Sequence, residues 1–302
     1  MAISRAQLAK ELEPGLNALF GLEFGRYENE HSEIFEEESS DRAFEEEVML
    51  GGFATAPVKS EGGAVSFDDA QETYTARYTH ETIALAFSIT EEAIEDNLYD
   101  RLASRYTKAL ARSMATTKQI KAASILNNAF PTGANVIGDG AALCSASHPS
   151  LSGTQTNLLA VAADLNETSL EQMLIDIAGF TDERGLKIAV RGTKLIIPKE
   201  LQFIAERVMN SALRSGTSDN DNNAMKNMGM LPEGAVVNHY LTDTDAYFIK
   251  TDAPNGFKYF NRAAIKTAME GDFDTGNMRF KARERYSFGV SDWRCVFGTP
   301  GA

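Results

Sequence analysis

With 302 residues, 43% of them hydrophobic and 9% aromatic, the chain is long enough for one large domain or two smaller ones around a sizeable core. A formal net charge of −14 argues against a nucleic-acid-binding module as a whole, because phosphate contacts need clustered Lys and Arg. Cys144 and Cys295 alone give no disulfide framework, no apolar run reaches the ~18 residues of a membrane span, and the mixed-charge N-terminus has no signal-peptide core. Synthesis in a reducing cytoplasm is therefore expected, with no membrane partner.

Residues 1–50 read as an arm. A short helix around Ala6–Leu12 is broken by Pro14-Gly15, and from Glu28 to Glu47 ten acids face one base, Arg42. The plain reading of that run, which includes Glu36, Glu37 and Glu38, is a solvated or disordered segment that gains order by lying on something else, such as a neighbouring chain. After Gly51-Gly52, the pieces Phe53–Val58 and Ala64–Phe67 flank Lys59-Ser-Glu-Gly62-Gly63, a hairpin turn signal.

A long β-like run follows from Thr73 to Ile89. Its larger rings, Tyr74 and Tyr78, occupy even positions, but from Ile83 the apolar set (Ile83, Leu85, Phe87, Ile89) moves to odd ones. Side chains alternate faces along a strand, so the switch predicts a bulge or a strand passing between two environments. A hairpin that projects and returns to the core has this pattern.

The stretch from Ser88 to Phe130 predicts one long helix. Ser88-Ile-Thr-Glu91 offers a cap, and acids crowd the first turns. Apolar residues recur at helical spacing through Leu102, Tyr106, Leu110 and Met114 to Leu126, and Pro131-Thr-Gly133 ends the run. Such a helix spans about 60 Å, longer than a compact domain of this mass. Its cations include Arg101, Arg105, Lys108, Arg112, Lys118 and Lys121. Most belong to a solvated face; the functional reading pairs them with acids of neighbouring subunits.

Beyond an irregular Gly133–Asn157 connection, a helix opens at Asn166. Strands are expected at Leu186–Val190 and Thr193–Ile197, and a helix over Glu200–Leu213. A mobile polar loop follows at Ser215–Asn223, then strands at Ala235–Leu241, Ala246–Thr251 and Phe257–Phe260. A final long β run covers Arg279 to Phe297. The middle of the chain is thus a mixed α/β unit.

Chemistry is sparse. Cys144-Ser-Ala-Ser-His148 is a weak nucleophile–base match in a Ser-rich loop, four scattered histidines show no metal spacing, and Asp68-Asp69 on a turn reads as solvated. No catalytic residue, metal or cofactor is assigned.

The order of segments, together with Tyr78-Thr-His-Glu-Thr-Ile-Ala-Leu, Ile89-Thr-Glu-Glu-Ala-Ile-Glu-Asp, Leu143-Cys-Ser-Ala-Ser-His-Pro149 and Arg283-Glu-Arg-Tyr-Ser-Phe-Gly, resembles tailed-bacteriophage major capsid proteins over nearly the whole chain. The resemblance implies an α+β fold with an N-terminal arm (1–50), an extended loop (51–82), and a peripheral domain (83–149 and 262–302) carrying a spine helix (90–130). An axial domain (150–261) completes it. The implied subunit self-assembles into pentamers and hexamers of an icosahedral head, in the virion, after synthesis in the host cytoplasm. Its partners would be itself, a separate scaffolding protein (the arm being too short to serve), a portal, a decoration protein and double-stranded DNA held without sequence-specific contacts.

Candidate inter-subunit contacts are Glu36, Glu37, Glu38, Lys59, Glu61, Asp68, Asp69, Arg77, Arg101, Arg105, Lys108, Arg112, Arg283 and Arg285. Axial loop candidates are Ser215, Gly216, Asp219, Asn220 and Asp221. Lys59 is the one evident lysine for a covalent crosslink of the kind some family members form. Competing readings are a nanocompartment shell of the same fold, a tail or accessory structural protein, and a hydrolase using Cys144 and His148.

Overall fold

The computed structural model describes residues 5–90, 92, 93, 99–130, 137–213, 222–272 and 274–302. The chain begins with α1 (Arg5–Phe24), followed by β1 (Glu36–Ser39), β2 (Phe44–Gly51), β3 (Gln71–Thr79), β4 (Glu81–Ile89) and the long helix α2 (Tyr99–Asn127). Next come β5 (His148–Ser150), β6 (Gly153–Gln155), α3 (Glu167–Ala178), β7 (Gly192–Ile197), α4 (Gln202–Asn210) and α5 (Ala224–Met228). The chain closes with β8 (Ala235–Val237), β9 (Tyr247–Thr251), β10 (Phe257–Gly271), β11 (Met278–Val290) and β12 (Val296–Thr299).

Two four-stranded sheets carry the molecule. The first has the order β1-β10-β11-β4, with β1 parallel to β10 and the other neighbours antiparallel; the second has the order β12-β9-β7-β8. β2 and β3 form a separate two-stranded ribbon.

The even-numbered residues of β11 face the long helix. Leu16 and Phe20 of α1 and Ala103, Leu110, Ala111 and Met114 of α2 close on Phe280 and Ala282. Burying each large side chain contributes about 1.5–3 kcal/mol, and this packing carries α1 straight through Pro14. Proline removes one intrahelical bond, but contacts with α2 outweigh the loss, so the break expected at Pro14-Gly15 does not occur. The arm accordingly lies on its own chain.

Between α2 and β11, Lys118 Nζ meets a Glu284 carboxylate oxygen at 2.7 Å, with the side chains 13% and 2% exposed. The rings of Phe24, Tyr259 and Tyr286 surround the ammonium at 5.3 to 5.8 Å. Burial pushes the Glu284 carboxyl up from its ordinary range, and the Lys118 charge opposes that shift.

The second sheet packs against α3, whose Leu170, Met173 and Ile177 meet Leu195, Ile249, Trp293 and Phe297. α3 begins with a capping box: the Asn166 side chain accepts from the Ser169 amide at 2.8 Å, and Ser169 Oγ accepts from the Asn166 amide at 3.1 Å.

Several expected boundaries move. The helix α2 has 29 residues, about 43 Å at the usual rise. Ser88 belongs to β4, not to a helix cap; of the acids expected in the first turns, 91, 95 and 96 lie outside the described residues, as do Pro131-Thr-Gly133. The long run 73–89 does break, but at His80, three residues before the face switch at Ile83, with β3 pairing β2 and β4 pairing β11. Phe53–Val58 and Ala64–Phe67 are not strands; the paired strands lie on either side of them, where cross-strand partners exist.

Leu186–Val190 makes only an isolated bridge, Thr181 to Lys187. β10 runs eleven residues past the expected Phe260, because it has β11 to pair with along its length. The C-terminal run is interrupted at 291–295, where a 3-10 turn carries the chain from the first sheet into the second.

Glu284→Ala leaves the Lys118 ammonium in its ring cage without a carboxylate. It is expected to lower stability by about 3 kcal/mol, measured as a reduced urea midpoint of the unassembled chain. The pair Lys118→Met with Glu284→Leu is expected to recover most of that loss.

Candidate assembly surfaces

The acidic arm is held by lysines of its own body. Lys194 Nζ donates to the Glu33 carbonyl at 3.0 Å and its carboxylate at 2.9 Å, and lies 3.2 Å from Glu233. Lys250 Nζ donates to the Ile34 carbonyl at 2.8 Å. Lys258, whose side chain is 6% exposed, bonds Glu47 and lies 3.0 Å from Glu38. His239 meets Glu30 through its amide and through Nδ1, at 3.0 and 2.8 Å. Asn261 donates to Glu37 at 3.1 Å, while Glu36 is exposed.

The bond from Lys194 holds the Glu33 carboxyl below its ordinary value. Burial alone would lower Lys194, but its bonds to Glu33 and Glu233 outweigh that and raise it. Among the described residues no α2 cation forms an ion pair with an arm acid: Lys118 pairs with Glu284, and Lys121 with Glu81 at 2.7 Å. Arg105, Lys108 and Arg112 are exposed and make no ion pair among the described residues; the Arg101 side chain and the candidates Ser215, Gly216, Asp219, Asn220 and Asp221 lie outside them.

The ribbon β2–β3 stands on a bolted stem. Tyr78 OH bonds Ser291 Oγ, Glu47 bonds the same hydroxyl, and Tyr74 OH donates to the Ser291 carbonyl at 3.3 Å. Gly289 lies flush beneath the Tyr78 ring; a Cβ there would stand 2.6 Å from a ring carbon. At the β3–β4 junction, buried His80 bridges Ser40 and Ser287, each at 2.9 Å. Arg77 lies 3.7 Å from Glu46 with its guanidinium 4.0 Å over the Phe44 ring.

Beyond this stem, residues 53–70 form no strand, and Lys59 and Glu61 are exposed. Val58 is 100% and Phe67 95% exposed, an apolar tip with nothing on it. Asp68 accepts from the Ala54 amide at 2.7 Å, which lowers its carboxyl. Arg184 donates to the Asp69 carbonyl at 2.6 Å and lies 3.9 Å from Asp68, drawing the segment that returns from the tip toward the second sheet's half. Arg283 is exposed and Arg285 half-buried on β11.

The Cys144 and His148 pairing does not form. Cys144 is fully buried, and burial pushes its thiol up, away from the reactive thiolate. Both His148 nitrogens are engaged, Nδ1 with Asp139 at 2.6 Å and Nε2 with Asn157 Oδ1 at 3.0 Å, and the ring stacks on Trp293 at 4.4 Å. This is a packing node.

The sequence reading passed over Lys194, Lys250, Lys258 and Ser291. A signal was present: each lysine interrupts an apolar strand (Lys-Leu-Ile-Ile, Phe-Ile-Lys and Phe-Lys-Tyr-Phe), where a buried ammonium needs a carboxylate or carbonyl brought to it.

Two outcomes follow from this geometry. Glu33 has a depressed folded value, so its share of arm docking is present above the ordinary glutamate value and lost as pH falls through the depressed one. Hydrogen exchange of residues 28–39 should rise in that acid window, and in Lys258→Met it should rise already at neutral pH. Gly289→Ala is expected to push the stem off its seat, with about 1–3 kcal/mol lost, visible as earlier protease cleavage in the ribbon than in the rest of the chain.

A family model described as phage capsid protein matches residues 73–298. A search of curated protein sequences returns no match. Among solved structures, the capsid of cyanophage P-SCSP1u is similar at a TM-score of 0.58 and 11% identity, over 89% of this chain and 86% of that one. The capsid of a native GTA particle is similar at 0.56 and 12%, over 91% of each chain. The virus-like particle from Pyrococcus furiosus is similar at 0.52 and 9%, over 94% and 97%. The chain has the tailed-phage major capsid fold, and with three quarters of its length under one family model it belongs to the phage capsid protein family.

Proposed function

We propose that this chain self-assembles into the pentamers and hexamers of an icosahedral phage head that encloses double-stranded DNA. The observation that carries this reading is the hairpin: a ribbon bolted at its stem through Tyr78, Glu47 and Ser291, yet ending in an apolar tip with Phe67 and Val58 uncovered. An exposed apolar tip on an anchored support is an interaction surface awaiting a partner. Symmetry then requires many copies to meet in the same way.

In this reading residues 1–50 act as the N-terminal arm, 51–82 as the extended loop over an adjacent subunit, 83–149 with 262–302 as the peripheral domain and 150–261 as the axial domain at capsomer centres. The arm and hairpin acids and the exposed cations Arg105, Lys108 and Arg112 are contact candidates between copies. A separate scaffolding protein, a portal and a decoration protein complete the particle, which assembles in the host cytoplasm; the DNA is held without sequence-specific contacts. The subunit's role is structural. A second reading, a nanocompartment shell around protein cargo, draws support from the shared fold with the Pyrococcus furiosus particle.

Expression of the chain with its neighbouring scaffold gene is expected to yield closed shells by negative-stain microscopy, and particles from infected cells to hold nuclease-protected double-stranded DNA. Tubes or soluble monomers under all conditions would sink the shell reading, and shells that hold only protein cargo would favour the second.

A further inference from the structure

One residue, His80, separates β3 of the ribbon from β4 of the first sheet. The chain therefore leaves the body at this ring. His80 is 5% exposed, and the two hydroxyls it bridges, Ser40 just past β1 and Ser287 on β11, are buried with it.

The hydrogen bonds fix where the ring carries its proton. Ser40 Oγ gives its one proton to Glu45 at 2.7 Å and takes one from the Arg42 amide at 3.2 Å. Toward His80 it can only accept, so Nε2 donates and Nδ1 is left as the acceptor of the Ser287 hydroxyl. A neutral imidazole satisfies this arrangement completely. An imidazolium does not: its second N–H would point at Ser287, whose hydroxyl must then turn away and has no other partner among the described residues.

The surroundings oppose a positive ring as well. Arg285 on β11 and Arg262 on β10 face it, Arg285 Nε is itself buried without a partner, and Phe260 closes the site with its ring centroid 6.4 Å away. Against them stands Glu45 on β2, which reaches His80 through Ser40 and has the Arg42 guanidinium 4.0 Å from its other oxygen. Burial first, and then Arg285, holds the ring below the ordinary histidine value; Glu45 raises it and Arg262 lowers it further.

We propose that His80 is a pH-sensitive hinge pin: neutral, it locks the angle at which β2 and β3 leave the body, and protonated, it lets them go. The second fastening, Tyr78 with Ser291 and Glu47, then becomes the pivot. Because the folded value is depressed, the lock is intact above the ordinary histidine value and is lost as pH falls through the folded one. His31 is also buried and held low, against the Tyr259 and Phe288 rings, but it lies on the arm, so its titration reads out in the arm and not in the ribbon. The hinge is a property of the single chain; its bearing on assembly, by setting where the exposed tip is presented, rests on the shell reading above.

Hydrogen exchange of the unassembled chain between about pH 8 and about pH 5 tests this. With intrinsic rates divided out, protection of β2 and β3 is expected to fall about tenfold or more across that range, while α3 and β7 hold theirs. In His80→Gln, which keeps a donor and an acceptor but cannot take up a proton, the fall should disappear. Arg285→Gln should move its midpoint to higher pH, because the imidazolium then faces one cation fewer. Ribbon protection that is flat in the parent, or that falls equally in His80→Gln, overturns the proposal. Should that variant not fold, an unmoved midpoint in Arg285→Gln overturns it alone. Shell formation enters none of these readings, so the hinge and the shell reading fail separately.

Discussion

The Lys118–Glu284 contact is the point on which the first half of the molecule turns. It sits where the long helix, the N-terminal helix and the central strand β11 meet, and the rings of Phe24, Tyr259 and Tyr286 close it from water. A buried ion pair is a poor source of net stability, but it penalises every arrangement in which either partner is left alone. Sliding α2 by one turn, or shifting β11 by one residue, would strand a charge among aromatic rings. The pair thus sets the register of helix on sheet, and with it which face of β11 turns outward.

That register explains the division of labour along β11. Its even residues are apolar or paired and build the core; its odd residues from Arg279 to Arg285 are cations on the outward face, and beyond them Ser287 and Gly289 seat His80 and Tyr78. The same economy appears in the arm, where Lys194 and Lys258 reach out of apolar strands to hold acids that would otherwise repel one another, and Lys250 holds the Ile34 carbonyl between them. Charge in this chain is arranged so that an acidic ribbon and arm lie against a body with local basic strips, even though the whole is strongly acidic.

Much of this was legible beforehand. The face switch at Ile83 signalled a break that the structure sets three residues earlier, at His80, and the spacing from Leu102 to Leu126 located the long helix, because both signals depend on local periodicity. Pairing partners were harder to read. The strands of the ribbon lie outside Phe53–Val58 and Ala64–Phe67, since the Glu-rich Phe44–Gly51 looks like a solvated run until Lys258 and Ser291 are seen to receive Glu47. Arm docking was missed for the same reason: its lysines lie more than 150 residues away in sequence from the groups they hold. Of the candidate contact residues Arg283 and Arg285, the structure places the first exposed and the second half-buried on β11, whereas Lys266, which was not a candidate, comes beside Arg283 only through cross-strand register.

The passage of the chain through 291–295 joins the two sheets. The buried Asp292 and Glu183 hold the Arg294 guanidinium at 3.2 and 3.0 Å, the half-buried Thr181 accepts from its Nε through its carbonyl, and buried Trp293 lies beside it. Torque applied by neighbours to β11 therefore reaches β12 through covalent backbone clamped on both sides, with little slack to absorb it. Curvature is set inside each protomer, and the angle between the two halves becomes a property inherited by any lattice built from them.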